Sequence, residues 1–72
     1  MALQPEEIWE LAVYRMQDGT LRRVLEVDRV FVRWEFLRPS CAPEGHPGRQ
    51  PGYTFSAELR RFAAGASREL RA

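Results

Sequence analysis

The stretch YRMQDGTLRRVLEVDRVFVRWEF, residues 14–36, alternates apolar and polar side chains almost without a break, and its reading decides the fold. Neighbouring side chains on an extended strand point to opposite faces, so such alternation describes strands with one buried side. Asp18-Gly19 falls where a hairpin would turn, because a two-residue type I′ turn needs positive φ at both central positions and Asp-Gly tolerates it. That turn sets Gln17 opposite Thr20, Met16 opposite Leu21, Tyr14 opposite Arg23 and Ala12 opposite Leu25. A second reversal lies near Asp28-Arg29. An even-length loop centred there sets Val27 against Val30, Leu25 against Val32, Arg23 against Trp34 and Leu21 against Phe36. An odd-length loop would send the last strand's hydrophobes to the other face, so the pattern selects the even register. The expectation is a three-stranded antiparallel meander over 11–37 whose nearly continuous apolar face is interrupted by Arg23.

That face needs a cover, and FSAELRRFAAGASREL, residues 55–70, reads as an amphipathic helix. Ser56 is the expected N-cap, Glu58 sits in the first turn, and Phe55, Leu59, Phe62, Ala63, Ala66 and Leu70 form one stripe. Gly65 lies off the stripe and costs about 1 kcal/mol relative to alanine inside a helix, so the helix ends there or continues weakened to Leu70. Tyr53 to Phe55 can add a short fourth strand. Pro5, Glu6 and Glu7 suit the first turn of a short helix within an N-terminal arm over 1–10, from which Ile8, Trp9 and Leu11 can reach the core edge. Residues 38–52 are a Pro/Gly-rich loop by composition. The whole is one small α+β domain, a three- to four-stranded antiparallel meander packed against a C-terminal amphipathic helix in 53–72.

At 72 residues such a domain buries only about 60% of the surface its unfolded chain exposes, so its core is small. One cysteine allows no intramolecular disulfide, which fits a reducing compartment. The opening MALQPEEIWE carries glutamates where a secretory leader has a basic end and an apolar run, and no stretch approaches the roughly 18 apolar residues of a membrane span. These features predict a cytoplasmic protein without a membrane partner. A net charge of +1 argues against strong general affinity for nucleic acid. All 11 basic residues are arginine, with lysine and asparagine both absent, and a GC-rich coding sequence explains that without any appeal to phosphate binding.

The candidate binding surface is Tyr14, Arg23 and Trp34, a guanidinium between two rings in one row of the sheet. There Arg23 gains cation–π attraction of about 0.5–2 kcal/mol, or else presents a flanked cation to an anionic partner. The alternative is a nucleic-acid face of Arg15, Arg22, Phe31 and Arg33 on the outer side, where Arg22 is expected opposite Glu35. Cys41 and His46, both in the loop, supply half of the four ligands that a structural zinc needs. No carboxylate pair, nucleophile–base pair or phosphate-cradling motif is evident, so neither catalysis nor a cofactor or metal is expected. Pro39, Pro43, Pro47 and Pro51 recur every four residues, out of step with the three-residue turn of polyproline, and read as stiffening.

The run YRMQDGTLRRVLEVDRVFVRWEFL, residues 14–37, followed after an insertion by YTFSAELRRF, residues 53–62, resembles small bacterial and prophage proteins built on an SH3-like sheet. The resemblance implies a half-open barrel used for association. The proline-rich insertion and the longer final helix depart from that pattern and put barrel closure in doubt. The expected function is a non-enzymatic protein-interaction module, an accessory or mobile-element factor that binds or inhibits a larger protein partner. The alternative is a nucleic-acid-binding module, and open sheet edges add the expectation of a homodimer.

Overall fold

The computed structural model describes residues 2–38, 44–47, 50 and 52–70; Cys41, Pro39, Pro43 and Pro51 lie outside them. Among the described residues the strands are β1 (Val13–Met16), β2 (Leu21–Val27), β3 (Phe31–Phe36), β4 (Phe55–Glu58) and β5 (Ala66–Leu70), with helix α1 (Leu59–Gly65) between the last two and a 3-10 turn at Pro5–Glu7. They form one antiparallel α+β sheet in the order β4-β3-β2-β1-β5.

The β1–β2 turn differs from expectation by one residue. Met16 N–H donates to Thr20 O at 2.8 Å and Gly19 N–H to Met16 O at 3.0 Å, which closes a three-residue loop, Gln17–Gly19. Gly19 takes φ 89° while Asp18 keeps negative φ, so the loop is a type I turn followed by a left-handed glycine rather than type I′. Local bonds explain the choice: the Asp18 carboxylate accepts from Thr20 N–H at 2.9 Å and from the Thr20 hydroxyl at 2.7 Å. Gln17 is also committed elsewhere, its backbone N–H donating to Gly65 O at 2.7 Å and its side-chain amide to Ala64 O at 2.9 Å, where it satisfies the end of α1.

The odd loop pairs Tyr14 with Arg22 and Val13 with Arg23. It turns Arg22 and Val24 inward, in place of the expected Leu21, Arg23 and Leu25. The second reversal is even as expected but centred on Arg29-Val30, where Asp28 N–H donates to Phe31 O at 2.8 Å. Val27 therefore faces Val32, and Val30 stays exposed. A bulge between Val24 and Glu26 then sets Val24 against Trp34 and Arg22 against Phe36. The inner faces of β1 and β3 are as the pattern predicts; only β2 is flipped.

The predicted helix stripe is at least half-buried along its whole length, yet three elements carry it. Phe55 lies on β4 beside Trp34, Leu59, Phe62 and Ala63 face the core from α1, and Ala66 opens β5. Ser56 is a strand residue, and Glu58 occupies the N-cap without a side-chain bond. The helix stops at Gly65, the residue of lowest propensity in the run apart from proline. β5 then pairs with β1 and satisfies backbone groups that a three-stranded meander would leave on an open edge. At the N-terminal side Ile8 enters the core, whereas Trp9 and Leu11 remain outside it at 61% and 75% exposure. The Tyr14 ring is wholly buried; its hydroxyl donates to Glu7 O at 2.8 Å and accepts from Trp9 N–H at 2.7 Å, which fastens the 3-10 turn to the sheet.

Candidate functional site

The guanidinium expected among aromatic rings is present, supplied by Arg22 and not Arg23. Arg22 Cζ lies 4.0 Å from the centre of the Trp34 ring and 5.6 Å from that of Phe36. Phe55 stacks on the same indole at 4.3 Å with the planes 15° apart. Two planar groups that close to one ring centre cannot share a face, so the indole is sandwiched between cation and phenyl. Phe36 and Phe55 meet edge-on at 5.6 Å, and His46 from the long loop packs 5.7 Å from Phe36 and 5.4 Å from Phe55. His46 is thus partly buried against the sheet. Trp34 Nε1 is buried with no hydrogen-bond partner among the described residues.

Of the residues expected to form one surface, Tyr14 is core, Trp34 is buried under Arg22, and Arg23 lies on the opposite face of β2. There Arg23 faces Glu35 across the strands and pairs with it at 3.5 Å, the ion pair predicted for its neighbour. The slip of one residue separates the expected trio.

Arg22 has a side chain only 20% exposed, and burial depresses its pKa against the opposing pull of the Asp18 charge. Its Nη2 donates to Asp18 Oδ2 at 3.3 Å and its Nε to Thr20 Oγ1 at 3.3 Å; Nη1 has no acceptor among the described residues. For Asp18, burial pushes the carboxyl up, but the Thr20 bonds and Arg22 outweigh it and leave the pKa below the ordinary value. Beside this pair runs an open groove of about 330 Å³ between the β1–β2 loop, β4 and α1. Met16, Ala57, Phe62 and Gly65 line it, with Gln17, Asp18, Arg22 and Arg61 as its polar members.

The outer face carries Arg15, Phe31 and Arg33 as expected but loses Arg22. Arg33 is held by Glu26. β5 contributes a cation that sequence reasoning missed: Arg68 lies directly opposite Arg15, both are exposed, and neither has an acidic partner among the described residues. Among the described residues no three His, Cys, Asp or Glu side chains converge as a metal site would require. No described helix is long and apolar enough to cross a membrane.

Four large hydrophobes are left exposed. Trp9, Leu11, Val30 and Phe31 are 56–75% exposed; Val30 and Phe31 sit at the β2–β3 reversal, Leu11 just before β1, and Trp9 beside Arg68 and Glu69 of β5. Leu11 N–H donates to Val24 O at 2.8 Å while Val24 N–H donates to Ala12 O at 2.9 Å, so Leu11 occupies a bulge with φ 65°. A leucine in the left-handed region costs about 1–2 kcal/mol, and here no burial repays it.

Compared with protein-family models, curated proteins and solved structures, the chain matches none. The functional reading therefore rests on the chain's own geometry.

Proposed function

We propose that the chain is a non-enzymatic protein-interaction module, an accessory factor that binds or inhibits a larger protein on an SH3-like half-barrel. The observation that carries the reading is the exposure of four large hydrophobes, Trp9, Leu11, Val30 and Phe31, with Leu11 held on a strained backbone. Single exposed hydrophobes are ordinary, but four large ones on so small a domain match the makeup of a docking surface. The half-barrel reading is supported by the strand order, in which β5 returns beside β1 after a single short helix. The test is affinity capture from a matched cell extract with the native chain and with a Trp9→Ser/Phe31→Ser variant of unchanged circular dichroism. The expected result is a protein retained by the first and lost by the second. Retention of nothing, or equal retention by both, rejects the reading.

A second reading, nucleic-acid binding by the outer face, is favoured by one observation, the Arg15–Arg68 couple, which has no acidic partner among the described residues. It predicts binding that falls steeply with salt and is lost in Arg15→Gln/Arg68→Gln. Absence of binding to oligonucleotides at low salt rejects it.

A further inference from the structure

We infer that the groove between the β1–β2 loop and α1 is a second docking site, which takes an acidic side chain flanked by an apolar one on a protein segment. The inference rests on the interaction reading but uses a groove whose lining includes none of Trp9, Leu11, Val30 and Phe31. Its base is charge complementarity at the groove rims. Arg22 enters from β2, fixed in place by its stack on Trp34 and with no acceptor for Nη1 among the described residues; Arg61 enters from α1 and makes no ion pair with any described residue. A guanidinium already half-desolvated and already oriented gives up little water and little freedom when a carboxylate arrives. Between the two cations the groove is lined by Met16, Ala57 and Phe62, which suit an aliphatic or aromatic neighbour of that carboxylate. About 330 Å³ is room for one or two side chains and not for a helix.

Asp18 narrows the ligand class. Its carboxylate lies 3.3 Å from Arg22 and cancels one of the two positive charges, so the groove suits a monoanion better than a phosphate dianion. That aspartate is 56% exposed and is also held by Thr20, so a ligand carboxylate can approach Nη1, which has no acceptor among the described residues, without displacing it.

The experiment is a nitrogen-15 NMR titration of the full chain, reading backbone amides and arginine Nε–H groups. The probes are acetyl-Leu-Glu-Phe-amide, its glutamine counterpart, inorganic phosphate and an oligothymidine. The expected result is a saturable shift of Gly65, Phe62 and the Arg22 Nε–H with the glutamate peptide. The glutamine peptide should bind at least about tenfold more weakly, and Arg61→Gln should weaken the glutamate peptide by a similar factor. Arg61 is exposed, so that variant keeps the fold, and Arg22→Met supplies a second check from the other rim. Equal binding of the two peptides, shifts centred outside the groove, stronger groove shifts with phosphate or oligothymidine, or no saturation by about 5 mM would each overturn the inference. Failure here with capture still dependent on Trp9 and Phe31 removes the groove proposal alone; failure of capture removes the interaction reading itself.

Discussion

Arg22 and Arg23 are adjacent in sequence, and the register gives them opposite duties, so their alanine substitutions make the sharpest test of the fold. Arg22→Ala removes a cation 4.0 Å above an indole, worth about 0.5–2 kcal/mol, and uncovers the ring on which its stem lies. The pair it also breaks has an exposed partner in Asp18 and adds at most about 1 kcal/mol. Relief of the buried charge offsets part of this, leaving a net loss of roughly 1–2 kcal/mol. Arg23→Ala breaks only the half-exposed pair with Glu35 at 3.5 Å and should cost about 0.5 kcal/mol or less. In a domain of this size 1 kcal/mol moves the melting temperature by about 4–8 °C, so the first variant should melt about 5–15 °C lower and the second within about 4 °C of the parent. A Trp9→Phe background leaves Trp34 as the sole indole, so its emission reports directly on the stack. Arg22→Ala should shift that emission and Arg23→Ala should not. If the Arg23 variant costs as much as the Arg22 variant, or alone perturbs the emission, the pairing of Val24 with Trp34 is wrong.

Gly65 has ordinary backbone angles, and a Cβ there would meet only the mobile end of Met16 at 3.5 Å, so Gly65→Ala should raise stability by about 0.4–1 kcal/mol in urea denaturation. Gly19→Ala is the opposite case: space is open but φ is 89°, so a loss of about 1 kcal/mol is expected, and no loss would argue against the three-residue loop. Tyr14→Phe deletes the hydroxyl that links Glu7 O and Trp9 N–H and should cost about 1–3 kcal/mol, with hydrogen exchange at the Trp9 amide accelerated more than at the Val24 amide. The Asp18 pKa is lowered by folding, so its stabilisation is complete above the unfolded carboxylate value and disappears as pH falls through the lower folded one; Asp18→Asn should flatten the stability profile between about pH 5 and pH 2, and an unchanged slope would refute the assignment.

Alternation was enough to place Tyr14, Met16, Val32, Trp34 and Phe36 on one face, and all five are buried. It could not place β2, because Asp-Gly serves a two-residue loop and a three-residue loop equally well. The decision lay in Asp18's bonds to Thr20 and in Gln17's reach to the end of α1, a contact between residues 47 apart. The bulge had a trace that could have been read: Val24 and Val27 cannot share a face of a regular strand, yet both are apolar beside the polar Glu26. β5 was hidden for a different reason. Ala66 and Leu70 are four apart, a spacing that keeps one face of a helix and equally one face of a strand, so only Gly65 distinguished the two.

The candidate site was legible in kind and misplaced by one residue, and the doubled arginine explains why. With Arg22-Arg23 in the chain, either register sets an arginine against Trp34 and another beside Glu35, so the ring contact and the ion pair are nearly indifferent to the slip. Contacts that survive a slip cannot specify register. What remains to specify it is the complete burial of Val24, the Gln17 clamp on Ala64 and Gly65, and the bracketing of Val24 by Leu11 and Ala12, none of which has a counterpart in the shifted pairing. Strain at Leu11 belongs to the same set: its bulge holds β1 in phase with β2, and its side chain is left in water. The residue that locks the register is therefore also one that a partner would meet, which ties the specificity of the fold to the proposed surface through one backbone angle.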